Sequence, residues 1–236
     1  MNVVISQPMF FPWVGMFEQI KLADCFVYYP DVQFSKGSFV NRVQIKTATG
    51  IKWLTVPLKN VSLGQTIGEV EINDDRDWRA SHLDMLSQAY SDAPYKVDML
   101  DLVGCVYAEK FSTIAELSIK SLEVVNDYYE LTENTIFRDS RELKIDGFSS
   151  QRVLDIIKAM DGDVYITGHG AKKYLEHDLF ESSGVRVEYM EYEKKVYSQL
   201  HGDFTSYVSI LDLIANVGSE GKCYMNSGAT YWRDCL

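Results

Sequence analysis

"ISQPMFFPWVGMFEQIKLADCFVYY", residues 5–29, decides the fold. A β-branched run, Val3 to Ile5, reads as a strand over Val3–Ser6 and stops at Gln7-Pro8. Phe10, Phe11 and Trp13 follow, set among Pro8, Pro12 and Gly15. Trp13–Ala23 then carries a helical pattern, with Phe17, Ile20, Leu22 and Ala23 apolar, and Phe26–Tyr29 is a second strand. Strand, helix and strand in so short a span open a βαβ unit. The loop is stiffer and more aromatic than a connection needs. Proline fixes φ and glycine permits close approach, so a rigid aromatic loop at the carboxyl end of a first strand suits a ligand site.

Downstream, Ser38–Lys46 and Lys52–Pro57 alternate across the turn Ala48-Thr49-Gly50 and predict a β-hairpin, with Glu69–Ile72 as one more short strand. Trp78–Leu131 is helical in period, with Leu83, Leu86 and Tyr90, then Met99, Leu102, Val103 and Val106, then Ile114, Leu117, Leu122 and Val125. Pro94 marks a break. Thr135–Phe137, Val164–Thr167 and Val185–Met190 read as strands, and Ser149–Met160 and Phe204–Ala215 as helices. The expected fold is α/β: a Rossmann-like, largely parallel sheet with a β-hairpin insert and a helical middle segment at about 78–131. The chain is read as one domain over 1–236.

The net charge of −11 over 236 residues argues against nucleic acid as a partner, because phosphate backbones want a basic face. No run of about 18 apolar residues predicts a membrane span, and no basic, apolar leader follows Met1. Cys25, Cys105, Cys223 and Cys235 show no metal-ligand spacing and read as free, mostly buried thiols of a cytoplasmic protein.

Three constellations fit chemistry. The first is Gln7–Gly15, where Phe11, Pro12 and Trp13 offer a stacking surface beside Gly15, against the plainer reading of a hydrophobic plug. The second is Gln33-Phe34-Ser35-Lys36 with Asn41, Arg42 and Lys46, whose donors suit a phosphate or carboxylate, against a merely solvated hairpin face. The third is Thr167-Gly168-His169-Gly170-Ala171-Lys172-Lys173-Tyr174, a strand–glycine–helix turn of the kind that holds anions. It has neither the Walker A nor the GxGxxG spacing. His82 and His169 are the candidate proton carriers. No Ser-His-Asp set, carboxylate pair or metal signature is legible, and no cofactor is indicated.

These residues resemble a known family. Gln7-Pro8, Phe11-Pro12-Trp13, Gly15, Ala23-Asp24, Gln33, Asn41-Arg42 and Trp53-Leu54-Thr55-Val56-Pro57 are similar to the WbqC-like family, and the likeness runs on through Trp78, His82, Tyr90 and Ala93-Pro94. It continues at Gly168, Gly170, Tyr174-Leu175, Tyr197, Gln199 and Phe204, and ends at Ser209–Leu213, Asn216 and Gly218. The resemblance implies a bacterial cytoplasmic role in building or decorating a surface polysaccharide such as O-antigen. A looser likeness of architecture is to the HIGH-motif nucleotidylyltransferases, although Trp13 and Met16 stand where that motif carries its histidines. Two functions follow. One is a transferase or ligase acting on a nucleotide-linked amino sugar, with Arg42 and the Gly168–Gly170 turn on its phosphates and Trp13 stacking. The other is a non-catalytic module that binds the same ligand within a biosynthetic complex.

Overall fold

The computed structural model describes residues 1–131 and 135–235. The strands β1 (Asn2–Ser6), β2 (Cys25–Tyr28), β5 (Ile136–Asp139), β6 (Val164–Thr167), β7 (Arg186–Glu191) and β8 (Gly228–Tyr231) form one sheet in the order β5-β2-β1-β6-β7-β8. All pair in parallel except β8, which runs antiparallel to β7. β3 (Arg42–Thr47) and β4 (Gly50–Thr55) form the expected hairpin, in register from Arg42↔Thr55 to Thr47↔Gly50.

Strand pleating sorts the apolar residues onto two faces. Val3, Ile5, Cys25, Val27, Tyr165 and Val187 point to one side, where α6 (Ser149–Ala159) and α7 (His177–Ser182) cover them with Leu154, Ile156, Ile157 and Phe180. Val4, Phe26, Tyr28, Ile166 and Met190 point to the other. There they meet α1 (Val14–Leu22) through Phe17 and Ile20, together with the helical middle of the chain. Both faces being covered, the parallel strands are apolar runs rather than alternating ones.

The helical middle is α2 (Trp78–Ala89), α3 (Lys96–Tyr107) and α4 (Ile114–Tyr129), followed after β5 by the short α5 (Ser140–Leu143). Asp77 caps α2 by accepting from the Ala80 N–H at 3.0 Å. Thr113 and Glu116 close a reciprocal capping box on α4. α8 (Ile210–Val217) is capped by Ser209 and nearly all buried. The helical reading over Phe204–Ala215 is thus shortened: Phe204–Ser209 is not helical, and the Ser209 N–H donates to the Gln44 carbonyl on the outer edge of β3. Glu69–Ile72 is not a strand of either sheet. Ile67–Glu69 is a 3-10 turn, and Glu71 and Ile72 make isolated bridges to Thr113 and Leu58. Cys25 is buried, but Cys105 and Cys223 are exposed and Cys235 half-exposed, so the expectation of mostly buried thiols fails. The Thr135–Phe137 strand begins one residue later, at Ile136, beyond the undescribed residues 132–134. Among the described residues no helix is long and apolar enough to cross a membrane, and no cluster of His, Cys, Asp or Glu is arranged to hold a metal ion.

Candidate functional site

The sheet order places a crevice. From β1 the chain builds outward through β2 to β5. It then returns to the other side of β1 and builds outward through β6 and β7. β1 and β6 are neighbours whose following segments diverge, which leaves an opening at their carboxyl ends, the usual ligand position in open α/β sheets. A cleft of about 440 Å³ lies there. That is in the size range of small-molecule sites.

Four stretches of chain line it. Ser6, Gln7 and Met9 come from the end of β1, and Trp13, Gly15, Met16 and Gln19 from the start of α1. Tyr29 and Val32 follow β2, Ser149, Ser150 and Val153 open α6, and Thr167, Gly168, Gly170 and Tyr174 follow β6. No described lining residue carries a charge. Polarity comes from the two amides, the hydroxyls, and the N-terminal ends of α1 and α6. Neither helix start is closed by a side-chain cap. Free N–H groups at both helix starts favour negative charge in the opening.

The loop that bounds the cleft is held from behind. Phe10 and Phe11 are fully buried and meet edge to face at 5.0 Å. Phe11 adopts φ +37, a left-handed conformation costly for an aromatic residue by about 1–3 kcal/mol. Hydrogen bonds fix it there: the Phe11 N–H donates to Ser121 Oγ at 3.0 Å, and Ser209 Oγ donates to the Phe11 carbonyl at 2.7 Å. Phe11 and Pro12 therefore serve the core rather than the opening. Trp13 is half-buried, edge-on to Tyr192 at 4.6 Å, and reaches the cleft. Its indole lies across Gly15, where an added Cβ would come within 2.3 Å of the ring. Gly15 is small so that Trp13 can lie flat. On the opposite wall, Arg152 steadies the Tyr29 side of the cleft. It donates to the Ile145 carbonyl at 2.9 Å, to Tyr29 Oη at 3.4 Å, and to Asp31. Burial pushes the Tyr29 phenol up, partly offset by the Arg152 charge.

The structure thus brings together Gln7, Trp13, Gly15, Gly168 and Gly170. The rest of the sequence-derived set lies elsewhere. Gln33 is exposed and bridges Thr66. Asn41 is buried and donates through Nδ2 to the Val56 carbonyl at 2.9 Å. Arg42 donates to the Gly37 carbonyl and stands 4.3 Å over the Trp53 ring. Lys46 is buried and donates to Gln199 Oε1 and to the carbonyls of Gly202 and Asp203, the last at 2.7 Å. His82, a candidate proton carrier, is 5% exposed. Nδ1 pairs with Tyr107 Oη at 2.8 Å and Nε2 with the Thr55 carbonyl at 3.2 Å. Burial drives its pKa down to about 4, so the ring is neutral. His169 borders the turn but is exposed and stacks on Tyr189 at 5.5 Å, and Lys173 points to solvent. Asp212 and Asn216 join a buried network, not the cleft. Asp212 accepts from Tyr90 Oη at 3.0 Å and Tyr197 Oη at 2.9 Å. Sequence reasoning missed Gln19, Tyr29, Ser149 and Ser150. Their signal was positional: each follows a strand or sits in the opening turns of a helix at the same end of the sheet.

An uncharacterised protein of Mycobacterium tuberculosis (strain ATCC 25618 / H37Rv), Rv1507c, is 31% identical over 227 residues, which is 95% of this chain and 97% of that one. No solved structure matches the chain. The sequence model of one family fits residues 7–224, from the amide at the end of β1 to beyond α8, and the chain belongs to that family, the WbqC-like protein family.

Proposed function

We propose that the cleft at the ends of β1 and β6 binds a nucleotide-linked amino sugar, and that the chain acts on it as a transferase or ligase in building a bacterial surface polysaccharide. The observation that carries the reading is the cleft's position and make-up. It sits where the chain changes direction in the sheet, it is lined by amides and hydroxyls, and two uncapped helix starts face it. Hydroxyls and amides suit a sugar, helix N-termini suit its phosphates, and Trp13 offers a ring to stack against.

The chemistry this setting supports is acyl transfer onto the sugar's own amine: the new C–N bond forms as the bond from the acyl carbon to the donor's thiolate or phosphate leaving group breaks, and the amine gives up a proton. A neutral amine is already a nucleophile. Positioning it and stabilising the oxyanion with helix N–H groups require no side-chain charge. His169, exposed between the lining residues Gly168 and Gly170, is the group of the sequence-derived set assigned to take that proton. One observation favours the second reading, a non-catalytic binding module: the lining contains no Asp, Glu, His, Lys or Arg among the described residues.

Calorimetry with a panel of nucleotide-linked amino sugars tests binding. Product formation with ATP, acyl-CoA or aminoacyl donors then separates the readings. Saturable binding that is lost in Gln7→Ala supports the site. Binding without turnover by any donor assigns the module, and no binding removes the proposal.

A further inference from the structure

A second cleft, of about 660 Å³, lies between β4 and the start of α2. It is separated from the first by the buried Phe10, whose ring is 6.2 Å from that of His82, while its neighbour Met9 faces the first cleft. Its walls are Trp53 and Trp78, with His82 between them. Trp53 is 37% exposed, whereas Trp78 is buried. Asn73, Asp75 and Asp77 form the rim. The Asp75 carboxylate makes no hydrogen bond or ion pair among the described residues, and Asp77 uses only Oδ1, on the Ala80 N–H.

We propose that this cleft binds a neutral saccharide, with the exposed part of the Trp53 indole against its C–H face, the buried Trp78 as a fixed back wall, and Asp75 and Asp77 accepting from its hydroxyls. The alternatives fail on the same residues. A cation would be repelled by the guanidinium groups of Arg42 and Arg79, which stand over Trp53 and Trp78, each at 4.3 Å. Arg76 on the rim repels it further. An anion would meet the carboxylates of Asp75 and Asp77. A wholly apolar ligand would strip water from Asp75 and Asp77 without returning a donor. A sugar ring supplies both an apolar face and hydroxyl donors. His82 fits this neutral setting: it is uncharged, both its nitrogens are taken, and it serves as a packed floor rather than as an acid or base.

The proposal stands on this lining alone and holds whether or not the first cleft takes a nucleotide sugar. The test follows the indole N–H resonances of the four tryptophans during titration with methyl hexosides and short neutral oligosaccharides. The expected result is a saturable shift of Trp53 and Trp78 while Trp13 and Trp232 stay still. Trp53→Ala is expected to weaken binding at least tenfold. Asp75→Asn, at an exposed carboxylate outside the fold's bonding, is expected to weaken it several-fold with an unchanged spectrum. Gln7→Ala leaves it intact. No shift at tens of millimolar sugar overturns the proposal. So does a response to choline without one to sugars, or a saccharide-induced shift of Trp13 alone, which would move the saccharide to the first cleft.

Discussion

The hairpin and the cleft are opposites. The hairpin holds the basic and amide side chains that look most like a phosphate site, Asn41, Arg42 and Lys46, and each of them donates to a backbone carbonyl of this same chain. The cleft holds no charged side chain, yet it has the position, the hydroxyls and amides, and the free helix starts that a ligand needs. Donors packed in a short sequence window are as useful for stapling backbone as for binding anions. Lys46 shows why. Its hairpin must be tied to the stretch before α8, and an ammonium with three donors can satisfy an amide oxygen and two loop carbonyls at once. In the cleft, by contrast, the polarity is uncharged and comes from amides, hydroxyls and helix starts drawn from distant parts of the chain, so no single short window shows it.

If the hairpin side is structural, the largest effects of substitution there are on stability. Asp212→Ala is expected to be the most damaging. Asp212 is fully buried, and its pKa is raised by that burial against the opposing pull of the Tyr197 and Tyr90 hydroxyls. Removing it leaves two buried hydroxyls without an acceptor, at about 1–3 kcal/mol each, and frees Tyr197 from α8. Urea unfolding is expected to show a loss of about 4 kcal/mol. A loss under about 1 kcal/mol would mean that the network is not what ties these segments together.

His82 comes next, through pH. The fold lowers its pKa from 6.5 to about 4, so the folded chain resists protonation that the unfolded chain accepts. The resulting stability is complete above pH 6.5 and is lost as pH falls towards 4. Each tenfold weakening of proton affinity is worth about 1.4 kcal/mol, so the loss reaches about 3 kcal/mol. Unfolding measured at pH 7 and near pH 4.5 is expected to show a smaller drop for His82→Gln than for the parent chain. Equal drops would remove His82 from the stabilising side and reopen a proton-transfer role.

Much of the fold was legible because each main element carries its own local signal. β1, α1 and β2 stand within a residue or so of their expected bounds, since β-branched runs and an amphipathic stretch need no tertiary help. β8, Gly228–Tyr231, was not legible: it is short, lies on an edge and pairs antiparallel with β7, so nothing in its sequence sets it apart from a loop. The same division applies to the site. Gln7, Trp13, Gly168 and Gly170 were placed by the rule that ligands lie beyond strand ends. Ser149 and Ser150 arrive from distant sequence, and only the packing of α6 beside β1 reveals them. Phe11 shows the converse. Its aromatic character suggested stacking, but its left-handed backbone turns the ring into the core.

Trp13 tests the cleft itself. Its ring is half-buried, so Trp13→Ala is expected to lower stability by less than the about 3–5 kcal/mol of a fully buried ring. If the indole stacks on a nucleotide-linked sugar, the same change weakens binding by about 1–3 kcal/mol, tenfold or more, in calorimetry. Gly15→Ala sharpens the result, because its methyl group cannot coexist with the indole where it lies and must push Trp13 off the cleft wall. A large fall in melting temperature with unaltered affinity would return Trp13 to the core.

Arg42→Ala is expected to have the smallest effect, and it bears most directly on the contrast between hairpin and cleft. Arg42 looks in sequence like a phosphate clamp. In the fold its Nη2 donates to the Gly37 carbonyl and its guanidinium lies on Trp53, while Nε is buried without a partner. Losing the hydrogen bond and the ring contact costs about 1–2 kcal/mol, and removing the unpaired Nε returns part of it. The net change is expected to be about 1 kcal/mol or less. Affinity for a nucleotide-linked sugar is expected to stay within about twofold, since Arg42 does not line the cleft and a charge-assisted phosphate contact would be worth tenfold or more. A tenfold loss in a variant that still folds would put the phosphate at the hairpin after all. The uncharged cleft would then hold at most the sugar, and the helix starts that face it would be ordinary helix ends.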